Sequence, residues 1–177
     1  MKNSYKKVSL PFLENGIAQV AILVPNLKET IKHYYHDFGI GPWHIYTYGN
    51  PLVKNMSYQG KPTNYKMRVG LSYFGRMRIE LIQPLSGDTV YADFIKEHGY
   101  GVHHFGILTD DMPSAVRLAE KAGYEIIMDG SGFGLDGDGF YAYIDTEAKL
   151  GVTLELIERP KRRVPPEEIY PPEELDD

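Results

Sequence analysis

The sequence predicts an α+β protein of two tandem βαβββ modules that form a curved mixed sheet around a cleft. Three observations predict it. The segments "IAQVAILVPNLKETIKHYYHDFGI", from Ile17, and "VHHFGILTDDMPSAVRLAEKAGYE", from Val102, share one pattern: an apolar strand, a turn through Asn or Asp, then a helix. Each helix pattern is followed by three strand-like runs. Polar residues also fall at matched positions of the two copies, Gln19 with His104 and Glu80 with Glu155.

An N-terminal segment, residues 1–15, precedes the first module, residues 16–86. The first helix places apolar and aromatic residues at Leu27, Ile31, Tyr34 and Tyr35 and ends at Gly39, a residue suited to a left-handed cap. The strands that follow are "PWHIYTYG", "YKMRVGLSYFG" and "RMRIELIQP". Between the first two lies "YGNPLVKNMSYQGKPTN", rich in Gly, Asn and Pro and read as a loop. Residues 87–101 are a connector with a turn and a short helix. The second module, residues 102–159, has its helical stripe at Met112, Val116, Leu118 and Ala119, and that helix stops at Gly123. Its strands are "EIIMDGSG", "GFYAYIDT" and "GVTLELIE". The glycine-rich run "DGSGFGLDGDGF" reads as a loop, because no helix follows it to make a phosphate cradle. Residues 160–177, which combine prolines and acids, read as an extended or disordered tail.

The 177 residues suit one domain or two small halves sharing a core. A net charge of −5, with no basic block beyond "PKRR", argues against nucleic acid as a partner. No apolar run approaches the roughly 18 residues of a membrane span, and the first residues lack the apolar core of a secretory signal. The absence of cysteine removes disulfides and thiolate metal sites and fits a cytoplasmic setting. The 14 tyrosines suggest that some rings line a cavity.

Side chains alternate across a strand. Glu80 then shares a face with Arg78 and Ile82, and Glu155 with Thr153 and Ile157, while the opposite faces are apolar. Gln19 sits beside Ala21 and His104 beside Gly106, small neighbours that leave room. Four polar groups therefore converge on one concave face. An amide oxygen, an imidazole and two carboxylates suit a single divalent cation such as Zn, Co, Ni or Mn, whose charge the carboxylates balance. A glutamate alone in a strand is more often a surface residue; matched placement in a repeat is what favours a site. By alternation His103 points away, His33 and His36 read as surface or interface residues, and His44 and His98 carry no pattern. Lys61, Lys66, Arg68 and Arg78 are candidates to meet a phosphate or carboxylate of a substrate.

The repeat and these four positions resemble the vicinal oxygen chelate superfamily of glyoxalases, bleomycin-resistance proteins, extradiol dioxygenases and methylmalonyl-CoA epimerases. The resemblance covers about residues 16 to 158. "QVAILVPNLKETIKHYYHDFGIGPW" is similar to the family opening "HVAIVVPDL…FY…LG", with Gln19 where histidine is usual. "IELIQPLSGDTVYADFIKEHGYGVHHFGI" resembles the epimerase run "MELLxPLGxDSPIxxFLxKxGxGxHHIxx". The resemblance implies Gln19, Glu80, His104 and Glu155 as metal ligands, with Glu155 and Glu80 as catalytic groups. It implies proton transfer next to a carbonyl through a chelated enolate, epimerase-like, on a small carbonyl or acyl-thioester substrate, in a homodimer. The Gln/Glu/His/Glu set is also similar to that of glyoxalase I, which implies a lyase acting on a hemithioacetal as the alternative. A non-catalytic small-molecule binder is the third reading. The glutamate that epimerases carry on the third strand is replaced here by "KPTNYKMRV", with Asn64 or Tyr65 near its place.

Overall fold

The computed structural model describes residues 10–172. A short 3-10 helix, Pro11–Asn15, leads into β1 (Gln19–Leu23) and α1 (Leu27–Phe38). Asn26 caps α1 by accepting from the Glu29 amide, and Gly39 closes it in the left-handed conformation. Next come β2 (Trp43–Tyr48), β3 (Asn55–Tyr58), β4 (Lys61–Pro62), β5 (Lys66–Phe74) and β6 (Met77–Ser86). The connector holds α2 (Val90–His98), capped by Thr89. The second module contributes β7 (Gly101–Leu108), α3 (Met112–Lys121), β8 (Ile126–Phe133), β9 (Gly139–Ile144), α4 (Glu147–Leu150) and β10 (Thr153–Glu158); β11 (Glu168–Tyr170) follows.

All eleven strands join one mixed sheet in the order β11-β2-β5-β6-β1-β7-β10-β9-β8-β3-β4. The centre is the antiparallel pair β1–β7, one strand from each module. Flanking it, β6 runs parallel to β1 and β10 parallel to β7, so the two modules repeat one topology about the middle of the sheet. The sheet curls into a half-barrel. Tyr48 on β2 lies 5.5 Å, ring to ring, from Phe133 on β8, seven places away in the strand order.

Both outer edges are covered: one by a segment the sequence reads as a loop, the other by the tail in the extended one of its two expected forms. The loop expected after β2 contains the hairpin β3–β4, whose first strand pairs with β8 of the other module. The tail runs extended, and β11 pairs with β2. Glu168 bridges Arg68 and Lys28, and the Tyr170 hydroxyl meets His36 Nε2 at 2.9 Å. Exposed strand edges attract any chain segment able to supply backbone partners, and here two Pro-rich segments supply them. Residues 1–9 and 173–177 of the N-terminal segment and the tail lie outside the described part. The run read as a glycine-rich loop supplies the end of β8, a turn and the start of β9, because Gly132, Gly134 and Gly137 adopt positive φ there.

Three apolar clusters hold the layers. Leu27 and Ile31 of α1 pack with Trp43, Ile45 and Leu81 on the convex side. Met112, Ala115 and Ala119 of α3 pack with Ile107, Ile144 and Leu156 on the same side of the second module. The concave face carries the third, with Ala21, Val69, Ile82, Tyr141 and Tyr143, under Val90 and Tyr91 of α2. Polar residues on the concave face therefore sit in a largely apolar hollow.

Candidate metal centre

Four strands meet at the centre of the concave face, and each brings one of the matched polar residues. Gln19 opens β1, Glu80 sits in β6, His104 in β7 and Glu155 in β10. Register explains the convergence: Ala21 lies opposite both Glu80 and His104, and Glu155 lies opposite Gly106. A methyl group on Gly106 would meet Ile157 at 2.7 Å and Glu155 Oε2 at 3.3 Å, so the bare backbone there makes room for the carboxylate.

His104 Nε2 lies 3.1 Å from Glu155 Oε2 and 3.4 Å from Glu80 Oε2, and the imidazole is fully buried. One ligand atom from each of these three residues falls within 4.8 Å of the others. His104 Nε2 nevertheless has no hydrogen-bond partner. Protonated, this nitrogen would ion-pair with the two carboxylates; deprotonated, it presents a buried lone pair beside two carboxylate oxygens, the arrangement a divalent cation would satisfy. The donor chemistry agrees, with two negative oxygens and one neutral nitrogen.

Burial alone would push the His104 imidazole down, but Glu155 and then Glu80 outweigh it and hold its pKa up at about 9 without a metal. Its neighbour behaves oppositely. Burial, and then the charge of His104, drive His103 down to about 2, so His103 stays neutral. His103 does not point away as alternation predicts. The register slips between Ala21, opposite His104, and Ile22, opposite Val102, which leaves His103 unpaired in a β-bulge. Both rings then meet, Nδ1 to Nδ1 at 2.9 Å, and His103 packs against Tyr91 and Phe94 of α2. Sequence alone did not mark His103, because the bulge is set by how two distant strands register.

Gln19 faces the cluster through its amide nitrogen. Nε2 donates to Glu80 Oε2 at 2.6 Å and to Glu155 Oε2 at 3.2 Å, while Oε1 accepts from Arg78 Nε at 2.6 Å. A ligating Gln19 has to turn its amide and give up the Arg78 bond. Near the place of the epimerase glutamate, Asn64 is exposed. Tyr65 is buried, its hydroxyl donates to the Asp129 carbonyl and meets Tyr141 Oη at 2.8 Å, and burial pushes it well above the usual phenol range. His33 pairs with Asp37 and His98 with Glu147, both away from the centre. Lys61 and Lys66 are exposed, and Arg68 serves the tail; of the four basic candidates Arg78 lines the cleft.

The cleft over this centre has about 430 Å³ of free space including its open mouth, walled by Tyr48, Phe133, Tyr141 and Tyr143. Among the described residues, no helix is long and apolar enough to cross a membrane.

Comparison with known proteins agrees with this fold. Residues 18–143 match the sequence profile of the Glyoxalase/Bleomycin resistance protein/Dioxygenase superfamily. The uncharacterized protein YqjC of Bacillus subtilis (strain 168) is 25% identical over 146 residues, covering 81% of this chain and 92% of that one. Among solved structures, methylmalonyl-CoA epimerase from Mycobacterium tuberculosis superposes with a TM-score of 0.59 at 23% identity, over 82% of this chain and 89% of that one. A hypothetical protein from Bacillus halodurans C-125 gives 0.57 at 20% identity, over 84% and 96%. At such identities the solved structures show a shared fold.

Proposed function

Because the chain belongs to the Glyoxalase/Bleomycin resistance protein/Dioxygenase superfamily, we propose that it is a metal-dependent enzyme that moves a proton on the carbon next to a carbonyl. Glu80, His104 and Glu155 would hold one divalent ion (Zn, Co, Ni or Mn), with Gln19 as a fourth ligand once its amide turns. The observation that carries the reading is the buried His104 Nε2, unpartnered and flanked by two carboxylates. A divalent ion bound there supplies electrophilic stabilisation of the negative charge that develops on a carbonyl oxygen.

The chain's own groups would do the rest. Glu155 Oε2 and Glu80 Oε2 project into the hollow, where a carboxylate can take a proton from carbon and return it. Tyr141 and Tyr143 wall the floor and keep water from the reacting carbon. Epimerase-like isomerisation of an acyl thioester is the first choice of reaction, with Glu155 and Glu80 as the two proton carriers, because Tyr65 has its hydroxyl committed elsewhere. Gln19 supports a second reading, a glyoxalase-type lyase on a hemithioacetal.

Incubation of the metal-loaded protein in deuterated water with racemic methylmalonyl-CoA, and separately with the methylglyoxal–glutathione hemithioacetal, tests both. Deuterium entering at the carbon next to the thioester carbonyl supports the first, and thioester formation from the hemithioacetal the second. Failure of the protein to retain any divalent ion would refute the common basis of both.

A further inference from the structure

Beyond β10 the chain does not leave the site. Residues 159–164 run across the mouth of the cleft, and Arg159, Pro160 and Arg163 line the same cavity as Gln19, Glu80 and Glu155. This strap is held in place. The Leu135 amide donates to the Arg162 carbonyl at 2.9 Å, the Lys161 amide to Asp138 Oδ2 at 3.3 Å, and the Arg162 side chain pairs with Asp136. Pro160 is buried against Gly134, where a methyl group would come within 2.4 Å of the proline ring.

The arginines of the strap divide by direction. Arg162 has its carboxylate outside the cleft. Arg159 and Arg163 face the cavity and form no ion pair among the described residues. Opposite them stands Arg78, only 5% exposed. Its Nε is bound to Gln19, and no hydrogen bond or ion pair holds its terminal amino groups among the described residues. Partial burial, then the like charges of Arg78 and Arg163, hold Arg159 below the usual guanidinium range. Three like charges gathered at one mouth repel one another, and an anion held between them relieves that repulsion.

We propose that Arg78, Arg159 and Arg163 form an anion-binding rim that takes the carboxylate of a small carbonyl compound whose carbonyl end faces Glu80, His104 and Glu155. This rests on the function proposed above for the carbonyl end alone; the rim itself rests on the arginines. A planar carboxylate is the smaller of the anions that a guanidinium binds through paired hydrogen bonds, and it suits a cleft walled by aromatic rings that Arg78 lines. The substrate class is a carbonyl compound with a carboxylate close by, of the malonyl or 2-oxo-acid type.

Malonate is the probe, titrated calorimetrically against the metal-free and the Co²⁺-loaded protein at two salt concentrations. Wild-type protein should bind malonate in both forms, more weakly at high salt. Arg163→Gln and Arg159→Gln should each weaken malonate binding about tenfold or more, while Lys161→Gln, midway between the two and not among the residues that line the cleft, should leave it within about twofold. All variants should keep the wild-type affinity for Co²⁺ and its melting temperature. Malonate affinity that falls equally in Lys161→Gln, or is unchanged in both arginine variants, or is absent from wild type, overturns the rim. Tighter binding of inorganic phosphate than of malonate overturns the carboxylate assignment. A protein that takes no Co²⁺ yet loses malonate with the arginines sinks the metal reading and leaves the rim standing.

Discussion

Replacing His103 with phenylalanine separates the role of a ligand from that of the residue that orients it. His103 is 2% exposed, and its ring is packed between Tyr91, Phe94 and Tyr143, so phenylalanine preserves most of the apolar contact. What it removes is one acceptor. His103 stays neutral, with a pKa near 2, so its Nδ1 accepts the proton that His104 carries on Nδ1, 2.9 Å away. That bond fixes the proton on Nδ1, so when Nε2 gives up its own proton the lone pair aimed at Glu80 and Glu155 is the one freed for a metal. Removing the acceptor strands a buried N–H, which costs about 1–3 kcal/mol, and releases the tautomer. Loss of partners that orient a ligating histidine typically lowers metal affinity by about 10–100-fold. Competition for Co²⁺ or Zn²⁺ against a chromophoric chelator measures this directly. His103→Asn, whose Oδ1 offers an acceptor near the same place, should recover part of the loss. Metal affinity unchanged in a folded His103→Phe protein would refute the reasoning, because the acceptor would then have no hold on the ligand.

Three other outcomes follow from the same geometry. Glu155→Gln removes the charge that most raises His104, so turnover should fall by about 100-fold or more while part of the metal affinity survives; activity within a few-fold of wild type in a metal-loaded sample would remove Glu155 from proton transfer. Gly106→Ala places a methyl group 2.7 Å from Ile157 and 3.3 Å from Glu155, so it should weaken metal binding and lower the melting temperature by several degrees, about 2–4 °C per kcal/mol at this size. The pH dependence has a definite sign. The folded pKa of His104, about 9, lies above its ordinary 6.5, so the metal-free protein holds that contribution below pH 6.5 and loses it as pH rises toward 9. His103, lowered to about 2, gives a contribution present above pH 6.5 and lost as pH falls below it. Melting temperatures of the metal-free protein should therefore peak near pH 6.5, and metal affinity should rise about tenfold per pH unit up to about 9, since each ion displaces one proton.

The positions of the four polar residues were legible because a duplicated strand–helix–strand pattern carries its own register. Once Gln19 aligns with His104 and Glu80 with Glu155, alternation alone turns all four to one face. The edges were not legible. Residues 55–58, read as loop, become a strand because β8 of the other module presents an unpaired edge, and nothing within "NMSY" announces that partner. The tail reads as polar and proline-rich, yet β11 is held by Glu168 against Arg68 of β5 and Lys28 of α1 and by Tyr170 against His36 of α1, residues 100 or more positions away. Local composition has no access to such pairings. The same limit hid His103, whose orientation depends on a slip in register between β1 and β7.

The orientation of Gln19 links the floor of the cleft to its rim. Its amide has two ends with opposite chemistry, and Arg78 decides which end faces the carboxylates. With Arg78 Nε on Oε1, the amide nitrogen donates to Glu80 and Glu155 and partly offsets their mutual repulsion. If a cation takes over that offset, the amide is free to turn, and Arg78 is then free to give all its donors to an anion at the mouth. If an anion reaches Arg78 first, the pull on Oε1 weakens and the oxygen becomes available to a cation. Each event favours the other, so metal and carboxylate should bind with positive coupling, and by linkage the coupling is the same in both directions. Binding energy is then shared between the two ends of one substrate through a single side chain that neither end touches in the ground arrangement.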